Sequence, residues 1–340
     1  MTLRSYLAKR IAVGVLILWA VATLNFIIFV LYPADPVRYL LDPELAKNPE
    51  LVEMIKREYG IGENVFVQYA KYLRNMFSFG LLPPYFGISF ETKNPVARDM
   101  GWRMGLTVLL LGLALIGNIA LGIPLGIFAA WKRGTKWDVT ILGLGLFTWG
   151  VPTFFVQLLA VLFFTSYLYK VHGILIFPPG GWVSYPRPEN PILLAADILW
   201  HIALPALTLI ITGFGSWALY TRNMMLDALT QDYIMTARAK GASERTVLFK
   251  HAFRSIYPPI ITMITLSIPG LVTGAIITET IFGLEGVGKW YLSSISRANP
   301  DFPVVQAVLF VVATLVVICN LIADILYGFL DPRIRVGARR

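Results

Sequence analysis

Charged residues are scarce in this chain of 340 residues: they make up 14%, against about 25% in an ordinary soluble domain. That is too little to cover a water-facing surface, which excludes a typical cytosolic enzyme. With 56% apolar residues, a disordered or collagen-like chain is excluded too. There is one cysteine, Cys319, inside an apolar run, so no intrachain disulfide framework is possible. Three histidines are present; His172 and His201 flank apolar runs and His251 lies in a polar loop, so none lines a proton path. The His-Glu-x-x-His, Gly-x-Ser-x-Gly and Cys-x-x-Cys patterns are all missing. No catalytic residue, metal-ligand set or cofactor site is expected.

What the chain has is long apolar runs. A hydrocarbon core about 30 Å thick takes roughly 20 apolar residues per helix. Six candidates meet this: Ile11–Leu31, Met104–Ala130, Val139–Leu168, Ile202–Tyr220, Ile260–Phe282 and Val304–Leu330. The first follows Arg4, Lys9 and Arg10 as a signal peptide would. Its apolar stretch is too long for an h-region of about 7–15 residues and no small-x-small site follows, so it reads as a retained anchor.

The net charge of +9 is explained by one-sided loops rather than by nucleic acid. The N-terminus, the second-to-third loop (Lys132, Arg133, Lys136), the fourth-to-fifth loop (Arg222, Arg238, Lys240, Arg245, Lys250, Arg254) and the tail (Arg333, Arg335, Arg339, Arg340) hold sixteen basic residues. The two short loops of the other side hold Lys170, Arg187, Lys289 and Arg297. The positive-inside rule then places both termini in the cytoplasm, as an even number of spans requires. The longest outer segment, 32–102, is expected to fold as a small helical extracytoplasmic cap. Helices are expected over Pro49–Tyr59, closed by Gly60, and over Phe66–Phe79, with a turn at Leu82–Ser89. The organisation is thus a stub and first span (1–31), the cap (32–102), a five-span core (103–330) and a basic tail (331–340).

A charge at the bilayer centre costs about 2.5–3.5 kcal/mol on insertion scales, so each polar residue in a span asks for a reason. Asn25, Asn118 and Gln157 are uncharged. Glu279 lies near the outer end of the fifth span, and Asn320 and Asp324 share one face of the sixth. Interhelical hydrogen bonding, a substrate or ion contact, and a proton relay are the readings open to these three. Gly283–Lys289 (GLEGVGK) begins like a phosphate loop, but Trp290 follows where a hydroxyl is needed and no strand precedes it. Its glycines suit a tight loop that re-enters or caps the pore mouth.

The informative segment is the loop 221–259. Asp227–Ser255 (DALTQDYIMTARAKGASERTVLFKHAFRS) is long, polar and basic. One short helix is expected to end at Lys240, with Gly241 in the left-handed conformation that stops it. Ser243 is placed to cap a second helix with Glu244 in its first turn. Val247, Leu248, Phe253 and Ile256 form that helix's apolar face, and Pro258 and Pro259 mark entry into the fifth span. An amphipathic hairpin on the cytoplasmic side either lies on anionic lipid or docks into a partner.

Gln231–Gly241 (QDYIMTARAKG), with Arg245 through Pro259, resembles the coupling-loop signature of ABC-transporter permease subunits. More narrowly it resembles the B-type permease of the dipeptide, oligopeptide and nickel class. Met235, Thr236, Ala237 and Gly241 stand at the Glu-Ala-Ala-x-x-x-Gly positions; the Glu is missing, as is usual for the peptide class. Thr278–Gly288, Asn320–Arg335, Pro95–Val96, Gly122–Gly126 (GIPLG) and Tyr32–Pro36 (YPADP) match other stretches of the family, so the resemblance covers nearly the whole chain.

The resemblance implies an all-α membrane protein, a type I ABC importer permease of six transmembrane helices in a prokaryotic cell membrane. It implies a non-catalytic half-pore working with a second homologous permease, two cytoplasmic ABC ATPase subunits and an extracytoplasmic solute-binding protein. The ATPase-coupling residues would be Asp232, Tyr233, Thr236, Ala237, Arg238, Lys240, Gly241, Ser243, Glu244, Arg245, His251 and Arg254. Glu279, Asn320 and Asp324 stay as pore or interhelix polar residues. Swinging a pore from 1:99 to 99:1 takes about 5.5 kcal/mol of differential binding, which the partners must supply. The sequence departs from the family at Phe79–Ser89, where a short Gly-Asp-Leu-Gly-x-Ser stretch is expanded. With the aromatic outer loop (Tyr169, Phe177, Trp182, Tyr185, Trp200), this expansion suggests the oligosaccharide-carrying branch. Trp and Tyr also belong at membrane interfaces, so peptide and oligosaccharide both stay open, with nickel less favoured. An ion-coupled secondary carrier is the alternative; it predicts an essential midspan charge and no ATPase.

Overall fold

The computed structural model describes residues 3–31, 47–50, 52–53, 56, 63–82, 86–272, 276–296 and 300–330. Among them the chain is helical, with one isolated antiparallel bridge between Ile88 and Pro95. The expected motif Tyr32–Pro36, the Gly60 cap, Arg297 and the basic tail from 331 lie outside the described residues. So do parts of the expected helix Pro49–Tyr59 and of the Leu82–Ser89 turn.

The helices are α1 (Leu3–Phe26), α2 (Val65–Phe77), α3 (Val96–Trp131), α4 (Lys136–Gly150), α5 (Thr153–Ala160), α6 (Leu168–His172), α7 (Pro191–Leu229), α8 (Asp232–Ala239), α9 (Glu244–Thr246), α10 (Phe253–Val272), α11 (Ile276–Ile281), α12 (Val287–Ile295) and α13 (Phe302–Leu330). Wider π turns extend α1 over Ile27–Leu31, join α5 to α6 over Val161–Tyr167 and join α9 to α10 over Val247–Ala252. Five stretches among the described residues are long and apolar enough to cross a membrane: Leu7–Val30, Val96–Trp131, Thr153–His172, Pro191–Leu229 and Phe302–Ile325.

Two expectations are corrected. The third span, expected over Val139–Leu168, is two helices: α4 ends at Gly150, Val151 is extended, and Pro152 restarts the chain at Thr153. Proline has no N–H to give to the ladder, and its ring disfavours helix just before it. The spanning helix therefore runs from Thr153 to His172. Pro258 and Pro259 also lie inside α10 rather than at its start. Burial of Val247, Leu248, Ala252, Ile256 and Ile260 on one core holds that helix continuous against their cost. The fifth expected span, Ile260–Phe282, falls on α10 and α11, with 273–275 outside the described residues, and is not among those five stretches.

The chain divides into two compact units. The first comprises Met1–Thr107, Ile268–Ile276 and Gly286–Arg340. Its core joins Leu18 and Ala22 of α1, Met76 of α2, Val96 and Met100 of α3, Trp290 of α12 and Phe310 of α13. The second helix expected in the outer segment is α2, started by Asn64, whose side chain accepts the Phe66 N–H. In the same unit the buried Asp301 ties the 86–95 loop to the start of α13. Its Oδ2 accepts from Ser89 Oγ at 2.7 Å and from the Phe90 N–H at 2.9 Å.

The second unit comprises Val108–Ser267 and Ile277–Glu285. Here α4 crosses α7 at backbone contact. A methyl group on Gly215 would overlap the Gly145 carbonyl, and one on Gly145 would press on the Gly215 Cα. Gly122 and Gly126 of the GIPLG stretch likewise admit the α7 backbone beside Trp217, Ala218 and Thr221. Small residues at such crossings let dispersion and backbone contacts replace the missing hydrophobic drive between helices in lipid.

Candidate functional site

The hairpin of the second unit is built from its ends inward. Asp232 sits in the first turn of α8, where a negative charge offsets the exposed amides. Thr236 Oγ1 donates to the Asp232 carbonyl at 3.0 Å. At the other end the Ala242 N–H donates to the Ala237 carbonyl at 3.2 Å and the Gly241 N–H to the Arg238 carbonyl at 2.9 Å. This pair of bonds is a Schellman closure, and it needs a left-handed residue at Gly241, whose φ is +78°. Ser243 then caps α9 through the Thr246 N–H at 3.4 Å, and Val247 N–H closes on the Ser243 carbonyl at 2.9 Å. The turn is thus fixed by local bonds that the sequence predicts.

Two features were not legible locally. Arg238 donates to both Glu244 oxygens, at 2.9 and 3.2 Å, strapping α8 to α9 across the turn. Both side chains are exposed, so the strap steers geometry more than it adds stability. The hairpin also has a core of its own: Ile234 and Val247 are fully buried with Leu248, Ala252 and Ile256. They pack on Ile127 and Ala130 at the end of α3 and on Met225 and Ala228 at the end of α7. The expected apolar face holds for Val247, Leu248 and Ile256; Phe253 is half-buried at its edge. The π turns over Val247–Ala252 add Ala252 to it.

The candidate coupling residues separate into two groups. Asp232, Tyr233, Thr236, Arg238, Lys240, Gly241, Ser243, Glu244, Arg245 and Arg254 are exposed, and His251 is half-buried. Ala237 is buried in the chain on its own. The expected coupling residues leave out Met235, placed only in the signature, and Phe249, which are 64% and 55% exposed and stand out among the charges. Their signal was available: an apolar side chain on the polar face of an amphipathic helix.

Next to the hairpin's root Arg222 of α7 reaches Asp138 of α4. Its Nε and Nη2 donate to Oδ1 and Oδ2 at 2.6 and 2.8 Å. Asp138 also accepts the Gly134 N–H at 2.9 Å and is buried. The Arg222 guanidinium holds its carboxyl below the usual carboxylate range, against the opposing effect of burial. Asp138 was not a candidate from sequence, because its partner is 84 residues away.

The candidate polar residues of the spans fall in different units. Glu279 is fully buried on α11 in the second unit, beside Thr278, whose hydroxyl accepts from Gln157 Nε2 at 2.8 Å. Asp324 belongs to the first unit and pairs with Arg10 at 3.2 Å, joining α13 to α1, while Asn320 is exposed. The phosphate-loop lookalike has a different use: Gly286 starts α12, and the Val287 N–H donates to Thr107 Oγ1 at 3.0 Å.

Ser184, Asp197 and His201 come together without forming a hydrolytic triad. Ser184 Oγ donates to Asp197 Oδ1 at 2.6 Å and its N–H to Oδ2 at 2.7 Å. His201 presents Nε2 to Ser184 Oγ at 3.2 Å and Nδ1 to the Gly181 carbonyl at 3.0 Å. A nucleophile needs the carboxylate behind the imidazole, on its far nitrogen. Here the carboxylate accepts the serine hydroxyl's hydrogen bond directly, so the cluster pins the loop before α7 to that helix. Among the described residues no group of three or more His, Cys, Asp or Glu side chains could hold a metal ion.

Residues 122–336 match the binding-protein-dependent transport system inner membrane component, and residues 3–111 match the N-terminal component of such systems. The chain belongs to this family of transport permeases. It is 34% identical to the oligopeptide transport system permease protein AppB of Bacillus subtilis over 331 residues, 97% of this chain and 99% of that one. It is 33% identical to the dipeptide transport system permease protein DppB of Escherichia coli over 347 aligned positions, 97% of this chain and 98% of that one. A putative peptide transport system permease protein of Brucella abortus is 35% identical over 327 residues. As a binding-protein-dependent permease the chain is an integral membrane protein. The hairpin lies within the stretch matched by the permease component.

Proposed function

We propose that this chain is one half of the membrane pore of an ATP-driven importer that takes up oligopeptides handed over by a solute-binding protein. Its partners are a second homologous permease, two cytoplasmic ABC ATPases and that binding protein. The observation that carries the reading is the hairpin 232–256: preformed, rooted on the ends of α3 and α7, and exposing Tyr233, Met235 and Phe249 amid basic residues. An apolar knob ringed by charge suits a groove on a protein partner, and the rooted core lets a push on the hairpin reach the spans. In this reading the hairpin and both termini face the cytoplasm, as the sixteen basic residues of that side require.

Peptide is favoured over oligosaccharide by the relatives' names. Trp182 is buried and offers no face to a sugar, whereas Trp200, whose Nε1 donates to the Ile176 carbonyl at 2.7 Å, and Tyr169 stay exposed. Tyr185 is fully exposed.

The test is ATP-dependent uptake by the co-purified complex in proteoliposomes, with labelled oligopeptides and oligosaccharides offered through its binding protein. Peptide uptake that needs ATP is the expected result. Gly241→Pro and Arg245→Glu should abolish uptake while the chain still inserts; unchanged uptake in both would sink the lever assignment. Capture of the complex without any ATPase would return Glu279 and Asp324 to consideration as ion-coupling sites of a secondary carrier.

A further inference from the structure

The Asp138–Arg222 pair has a geometry that packing alone does not need. Arg222 donates twice, from Nε and Nη2, to the two oxygens of one carboxylate. Both side chains are largely buried, at 16% and 5% exposure. The same carboxylate accepts the Gly134 N–H from the turn between α3 and α4. Three pieces of chain therefore meet on Asp138: the α3–α4 turn, the start of α4, and α7. Two of them run directly into the hairpin's core, α3 through Ala130 and α7 through Met225 and Ala228. α4 itself contributes nothing to that core. Ile141 of α4 packs in a cluster with Ala129 of α3 and Ala218 of α7, and α4 meets α7 again at the Gly145–Gly215 crossing, deeper along the helix. Steric contacts along the pair and an ionic one at its end together fix a helix pair in both position and rotation, which a single crossing cannot do.

We propose that Asp138 and Arg222 are a positioning pair that locks α4 to α7 at the hairpin's root, so that α4 swings with the hairpin as one body. The inference rests on the importer reading above, because it assigns a task in transmitting the partner's stroke. Bidentate donation makes the joint resist rotation, which a lysine at 222 would not do. A buried pair also stays closed where a surface pair would exchange with water.

The experiment uses the assembled complex in proteoliposomes and reads substrate uptake and ATP hydrolysis together. In Asp138→Asn, Arg222→Lys and Arg222→Gln, uptake per ATP hydrolysed is expected to fall by about two- to thirtyfold, the range for contacts along a coupled network. The double variant Asp138→Asn with Arg222→Gln is expected to be no worse than its single variants, since they break one joint. A loss confined to total activity, with uptake per ATP unchanged, would make the pair merely structural and overturn the proposal. So would multiplying losses in the double variant.

Where a variant fails to assemble, hydrogen exchange in the wild-type complex decides. The Gly134 amide should be protected equally with and without ATP, because the joint stays shut through the cycle. Exchange that accelerates in either state would overturn the joint. Failure of the wild-type complex to import anything on ATP would overturn the importer reading itself, whereas wild-type import with unaffected variants overturns only the positioning pair.

Discussion

Asp301 and Asp138 are buried carboxylates with opposite pH behaviour. Burial pushes the Asp301 carboxyl up, against the donors Ser89, Phe90 and Glu91. The folded chain then binds that proton more tightly than the unfolded chain. Its contribution to stability therefore rises as pH falls through the folded-state value toward about 3.9. Asp138 is held down by Arg222, so its contribution is present above about pH 3.9 and is lost as pH falls through its lowered folded value. Melting temperature followed across pH should show Asp301→Asn removing the gain on mild acidification. Asp138→Asn should remove the loss at stronger acid. A wild-type profile matched by both variants would contradict these assignments. Gly241 is the other decisive residue: alanine at its φ of +78° should cost about 1–2 kcal/mol, visible as faster exchange of the Ala242 amide.

Among the elements, the hairpin and the α4–α7 pair are stabilised in different ways. The hairpin is a small core, so Ile234→Ala should cost about 2–5 kcal/mol locally and raise hydrogen exchange across α8 and α9. Met235→Ala, on the exposed face, should change stability by no more than about 0.5 kcal/mol while weakening ATPase association. That contrast separates the hairpin's fold from its docking face, and equal effects would refute it. The α4–α7 pair depends on backbone approach. Gly215→Val should force the helices apart at a cost of about 1–3 kcal/mol, read as a fall of several degrees in the melting temperature of the purified complex. The sequence gives no hint of which of its 28 glycines serve in this way. Gly143 and Gly150, on the same helix as Gly145, have open space around them.

For the whole molecule, orientation is the property most directly testable. In a background where the buried Cys319 is replaced, single cysteines at Arg133 and Lys250 should react with an impermeant thiol reagent only from the cytoplasmic face. Cysteines at Lys170 and Arg187 should react only from outside. All four sites are exposed in the structure, so labelling from one side at every position would break the positive-inside assignment.

The sequence by itself determined the class of molecule, because membrane insertion is read from composition and length. It also determined the hairpin turn, because the Asp232 helix start, the Gly241 stop and the Ser243 cap act within a few residues of chain. Only the tertiary structure decided where the third spanning helix begins, that α10 runs through two prolines, and that Ala237 points inward. Those outcomes depend on what packs alongside, not on local preference. Only the fold could bring Arg222 to Asp138, Ser89 to Asp301 and Gly145 to Gly215. The members of each pair are remote in sequence, and nothing in the residues near one announces the other.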